Sequence, residues 1–86
     1  MQKNKDVVAR VIQDQIVLVP ISFSAEGLFA FHLDETGSFL WNCLDESTDP
    51  EFLAERLQAE YEIDAATAAQ DVKQFLNDLQ ESKILL

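Results

Sequence analysis

Apolar positions in the first third of the chain fall in short runs separated by turn residues. Val7 to Ile12 reads as a first strand, Gln13-Asp14 as a tight turn, and Gln15 to Ser22 as a second strand carrying Ile16, Val17, Leu18, Val19 and Ile21. Ser24-Ala25-Glu26-Gly27 reads as a loop with glycine at its positive-φ position, and Leu28 to Leu33 as a third strand. Proline has no N–H to give a ladder, so Pro20 needs a place where pairing is one-sided. Counting back through the first hairpin sets it opposite Val7, where the first strand begins and pairing frays. The expected product is a three-stranded antiparallel meander whose third strand keeps one unpaired edge.

From Asp34 onward the apolar spacing becomes helical. Asp34 suits an N-cap and Glu35 a first turn, with a helix running through Leu44 and Leu40, Cys43 and Leu44 on its core stripe. Gly37 is a poor helix former there and is expected to mark close packing against the sheet. Ser47-Thr48-Asp49-Pro50 starts a second helix, with Leu53, Leu57 and Tyr61 spaced by four. Glu62-Ile63-Asp64 breaks it. A third helix then runs from Ala65 to about Lys83, its stripe Ala65, Ala69, Val72, Leu76 and Leu79 with Phe75 beside it. Ile84-Leu85-Leu86 either packs under the sheet or adds a short strand. The order is three strands and then three helices: an α+β, winged-helix-like fold in a single domain over residues 1–86, with residues 1–6 expected to be flexible.

Charge narrows the choice of partners. The net charge is −10, and beyond residue 30 the 13 acids face only Arg56, Lys73 and Lys83. Such a field repels phosphate backbones, which argues against nucleic acid. The third helix, as a DNA-reading helix, would be net acidic (Asp71, Asp78 and Glu81 against Lys73 and Lys83). The acidic surface serves solubility or steers a basic partner. No apolar run approaches the roughly 18–20 residues of a membrane span, and the N-terminus has no signal-peptide form. A cytoplasmic location, away from membranes, is the expectation.

Candidate chemistry is sparse. The chain has one histidine, His32, and one cysteine, Cys43. They lie on different elements with no third group to orient them, and Cys43 sits in an apolar run as a small hydrophobe. One His and one Cys leave a zinc site to be completed by carboxylates, no calcium-loop spacing appears, and Gly27 and Gly37 form no phosphate loop. Ser38 lies near a helix start, as in cofactor-carrying carrier proteins, but Thr36-Gly37-Ser38-Phe39 lacks their Asp-Ser-Leu context. Neither enzymatic activity nor a cofactor nor a metal is expected.

The segment Leu33-Asp34-Glu35-Thr36-Gly37-Ser38-Phe39-Leu40-Trp41, continuing as Asn42-Cys43-Leu44-Asp45, resembles the PqqD-like family, named for a pyrroloquinoline quinone biosynthesis protein. Asp71-Val72, Phe75-Leu76, Leu79 and the Lys83-Ile84-Leu85 tail are similar to that family's third helix and end, and residues 17–21 to its second strand. Asp34 stands where the family usually has Asn, and Glu46 where it usually has Gly. The former still caps a helix; the latter alters the turn after the first helix.

The resemblance implies a recognition element for ribosomally made, post-translationally modified peptides. Such a domain binds the leader segment of a precursor peptide and presents it to a modifying enzyme, often a radical SAM maturase. Quinone cofactor biosynthesis is one pathway within the family. The leader adds as a strand to the third strand and lies against the third helix. On this sequence the strand positions are Leu28, Phe29, Ala30, Phe31 and His32. If Leu33 faces the core, Phe31 and Phe29 share its face, and Leu28, Ala30 and His32 face away. The helix positions are Asp71, Phe75 and Asp78, with Phe75 as an apolar wall and the acids as partners for leader lysines or arginines. A general protein-interaction or regulatory domain without a leader ligand is the alternative reading. The same open edge also suits pairing with a second copy, giving a homodimer.

Overall fold

A computed structural model describes residues 1–20 and 31–86, Pro20 by its backbone alone. The end of the second strand as read from the sequence, the loop at Ser24–Gly27, and Leu28, Phe29 and Ala30 lie outside the described residues. Strand β1 (Val7–Ile12) pairs antiparallel with β2 (Gln15–Pro20), in a register that sets Ile12 against Gln15 and Val7 against Pro20. The two-residue connection has φ of 52° at Gln13 and 68° at Asp14. Positive φ at both central positions is the type I′ condition, whose twist matches that of the flanking strands. Strand β3 (Phe31–His32) continues the sheet in the order β1-β2-β3, with Leu18 opposite Phe31 and Val17 opposite His32. Ile16 and Leu18 are buried, so one face of the sheet looks into the core.

Three helices cover that face: α1 (Glu35–Cys43), α2 (Pro50–Glu60) and α3 (Ala65–Glu81). Each starts on an aspartate. Asp34 accepts a hydrogen bond from the Gly37 amide, Asp49 from that of Glu51, and Asp64 from that of Thr67. These caps satisfy N–H groups that the first helical turn leaves without partners. Gly37 is close-packed, but against the residues leading into its own helix rather than the sheet. A Cβ there would meet Asp34 Oδ1 at 3.1 Å and Leu33 Cβ at 3.4 Å.

The core joins Ile16, Leu18, Leu33, Leu40, Trp41, Leu53, Leu57, Val72, Leu76, Leu79 and Leu85 in one cluster. Each fully buried leucine contributes about 1.5–3 kcal/mol relative to exposure. The buried stripe of α3 is Ala68, Val72, Phe75, Leu76 and Leu79. Ala65 and Ala69, expected on that stripe, are exposed. The stripe follows the i, i+4 row Ala68–Val72–Leu76, and an alanine carries too little apolar surface to reveal its row from sequence.

Helix α3 stops at Glu81, short of Lys83. Lys83 takes φ 60°, its amide donates to Gln80 O at 3.1 Å, and the Ile84 amide donates to Leu79 O at 2.8 Å. This is a Schellman ending with a lysine in the left-handed position. Beyond it the tail is buried and makes an isolated bridge to the N-terminal segment rather than adding a strand to the sheet. Ile84 and Leu85 are buried in the core, and Leu85 forms an antiparallel bridge with Lys3. Gln2 and Leu86 exchange backbone hydrogen bonds of 2.9 and 2.8 Å, and the Asn4 amide donates to Ile84 O at 2.8 Å. Lys3 Nζ lies 4.1 Å from the Trp41 ring centre and 2.8 Å from Asp45 Oδ1. Residues 2–4, part of the segment read as flexible, thus hold backbone and side-chain partners.

Candidate functional site

The outer edge of β3 is where the sheet ends among the described residues. Its backbone orientation follows from the ladder. The Leu33 amide donates to Ile16 O at 2.9 Å, which makes Leu33–Ile16 a hydrogen-bonded pair. Paired and non-paired positions alternate along antiparallel strands. The amide and carbonyl of His32 therefore point away from β2, onto the open edge.

Ser38 fixes how this edge meets α1. The second bond of the Leu33–Ile16 pair is replaced by a side chain: the Ile16 amide donates to Ser38 Oγ at 3.0 Å, and Ser38 Oγ donates to Leu33 O at 3.4 Å. The hydroxyl is inserted between two strands that have begun to separate. It is buried and fully engaged, so it has no role as a carrier serine. Cys43 is likewise buried, and burial pushes its thiol up, outweighing the lowering by Arg56. It is a buried core residue outside the cleft lining, whereas His32 is exposed.

Beside the open edge lies a cleft of about 380 Å³. One wall is Phe31, His32 and Leu33 with Asp34; the opposite wall is Asp71, Gln74, Phe75, Asp78 and Leu79 of α3, and the first turns of α1 add Thr36, Gly37 and Leu40. The α3 wall has the spacing i, i+3, i+4, i+7, i+8, one continuous helical face. Phe75 and Leu79 belong both to it and to the core. Gln74 Nε2 donates to Asp78 Oδ1 at 2.8 Å and orients that carboxylate. Asp34 Oδ1 is occupied by the Gly37 amide at 2.7 Å. The cleft thus has an apolar floor, carboxylates on both walls, and an adjacent strand edge whose His32 backbone donor and acceptor have no partner among the described residues.

The structure brings together Phe31, His32, Asp71, Phe75 and Asp78 of the residues singled out from sequence. Phe31 packs against the core on the same face as Leu33, and His32 is exposed on the other. Sequence reasoning passed over Asp34, Thr36, Gly37, Leu40, Gln74 and Leu79 as lining residues. Gln74 was the most accessible of these, because it lies one turn from both Asp71 and Asp78. The described residues contain no group of three metal-ligating side chains, and no helix among them is long and apolar enough to cross a membrane.

Known proteins resemble the chain in two ways. Residues 21–85 match the family model described as coenzyme PQQ synthesis protein D (PqqD). The chain belongs to the PqqD family. A solved structure titled TbiB1 in complex with the TbiA(beta) leader peptide has 33% sequence identity to it and a TM-score of 0.83, covering 99% of this chain and 94% of that one. No curated protein matches the sequence significantly. The PqqD match takes in the whole cleft, from β3 through the last cleft residue of α3.

Proposed function

We propose that this PqqD-family chain is a recognition element that binds the leader segment of a ribosomally made precursor peptide and presents it to a modifying enzyme. The leader adds as a strand to the outer edge of β3 and lies in the cleft against α3. One observation carries the reading: an open strand edge borders an apolar-floored cleft in a chain that matches, over 99% of its length, a protein solved with a leader peptide. Strand addition draws affinity from main-chain hydrogen bonds and specificity from the pockets that alternate side chains enter. Each such bond nets about 0.5–1.5 kcal/mol. Ordering a flexible leader costs about 2–5 kcal/mol, which places the affinity near the micromolar range.

The same geometry favours binding over catalysis. Ser38 and Cys43 are buried and outside the cleft lining. The proposed contacts are His32 through its edge amide and carbonyl, Phe31 and Phe75 as apolar walls, Asp71 and Asp78 on the helix, and Leu28, Phe29 and Ala30 as the remaining strand positions of the sequence reading. A radical SAM maturase is the partner class that the family resemblance favours.

The test is an NMR titration of the isotopically labelled domain with the leader of a precursor encoded beside its gene. Perturbations concentrated on residues 31–34 and 71–79 are expected. Their absence at several hundred micromolar peptide overturns the proposal in favour of a protein-interaction domain without a leader ligand.

A further inference from the structure

The cleft's charge and spacing narrow the ligand beyond leader peptides in general. Three carboxylates line it, Asp34, Asp71 and Asp78, together with His32 and with no lysine or arginine. The ion pairs among the described residues are Lys3–Asp45 and Arg56–Glu46, so none of these three has a cationic partner there. These carboxylates take only neutral donors, the Gly37 amide at Asp34 and Gln74 at Asp78, in a chain whose net charge is already −10. A cleft with an apolar floor and carboxylates of one sign on its walls focuses such a field.

The spacing supplies a register. Asp71 and Asp78 are two helical turns apart, roughly 10.5 Å of rise. Side chains on one face of a strand recur about every 6.8 Å, so residues i and i+4 stand about 13.5 Å apart with i+2 midway. Lysine and arginine stems are flexible enough to close the difference of about 3 Å. Phe75 lies between the two aspartates along α3, and Leu79 and Leu40 share the cleft lining with it. In a strand running along α3, an apolar side chain at i+2 falls over Phe75, while the i and i+4 side chains reach Asp71 and Asp78.

Resting on the leader-binding reading, we infer that the cleft selects peptides in which two lysines or arginines, four residues apart, flank a central apolar residue. An acidic residue at either flanking position meets like charge, at exposed Asp71 or half-buried Asp78, and is disfavoured. The broader acidity of the chain steers the cationic segment toward the site but does not set its spacing; the two aspartates do.

The experiment is selection of a displayed library of randomised peptides against the wild-type domain, followed by binding measurements on synthetic winners. Winners with the basic–x–apolar–x–basic pattern are expected. Each exposed or half-exposed ion pair accounts for roughly a 1.5- to 5-fold effect, so the double variant Asp71→Asn/Asp78→Asn binds a winner roughly 2- to 25-fold more weakly. Raising salt from 0.1 to 1 M, which shortens the screening length from about 10 to about 3 Å, weakens wild-type binding as well. Winners that perturb β3 amides but are neutral or acidic, or basic winners indifferent to the double variant, overturn the charge selectivity and leave strand addition standing. A selection that yields no peptide contacting β3 overturns both.

Discussion

Replacing Ser38 with alanine tests the joint between sheet and helix. The serine is 6% exposed and Ile16 is 5% exposed. Without the hydroxyl, the Ile16 amide loses its partner at 3.0 Å and Leu33 O loses a donor at 3.4 Å. An unsatisfied buried donor costs about 1–3 kcal/mol. The longer bond to Leu33 O adds little, and alanine's better helix propensity returns a few tenths of a kcal/mol. The expected net destabilisation is about 2 kcal/mol. For a domain of this size that corresponds to a Tm lower by roughly 8–16 °C. Urea denaturation should show a lower midpoint with an unchanged m value, since the surface exposed on unfolding is the same. Hydrogen exchange adds a local readout: the Ile16 amide should lose protection by more than its neighbours. A Ser38→Ala domain within about 0.5 kcal/mol of wild type, with Ile16 still protected, refutes the bridging role.

Other expectations follow from the backbone and the cleft. Lys83→Gly relieves a left-handed residue at the end of α3 and should stabilise the domain by about 1 kcal/mol, read as a higher urea midpoint. The Gln13→Asn/Asp14→Gly pair installs the preferred type I′ turn and should raise Tm by a few degrees without altering leader affinity. Phe75→Leu keeps the core filled while removing the ring from the cleft wall; leader binding should weaken several-fold in isothermal calorimetry with a modest change in stability. Hydrogen bonds from the Thr67 side chain and amide lower the Asp64 carboxyl below its ordinary range. The sign follows: a folded-state pKa below the unfolded one gives stability that is complete above the unfolded pKa and lost as pH falls through the folded value. Asp64→Asn should therefore flatten the acid limb of the thermal stability profile, and an unchanged limb would count against the cap.

Much of the fold was legible because its signals are local. Asp34, Asp49 and Asp64 each announce a helix through their own side chains, and all three act as caps. The hairpin register followed from counting back from a two-residue turn, which is why Pro20 falls opposite Val7 as the count required. The facing of Phe31 and His32 followed from the alternation that Leu33 anchors. Illegible parts depend on residues distant in sequence. Nothing around Ser38 indicates that its hydroxyl completes a ladder 22 positions away. Nothing in Gln2-Lys3-Asn4 announces a partner at residues 84–86. The choice of Ala68 over Ala65 and Ala69 turned on how α3 is rotated against the core, which small side chains do not encode. In the cleft, Asp71, Phe75 and Asp78 emerged from the family resemblance, whereas Asp34 was read only as a cap and proved to line the opposite wall as well.

The pairing of Gln2 with Leu86 puts both ends of the chain at one spot. That spot is by the last turn of α1, where Lys3 meets Trp41 and Asp45, whereas the cleft draws on the first turn of α1 at Thr36 and Gly37. Adjacent termini let a domain be appended to, or inserted within, another polypeptide with little distortion of either. An enzyme tethered through either end would leave from the same point and face the same peptide track. Head or tail fusion is then a nearly equivalent way of wiring recognition to chemistry, and tether length, rather than the choice of terminus, sets which residues of a held substrate come within reach.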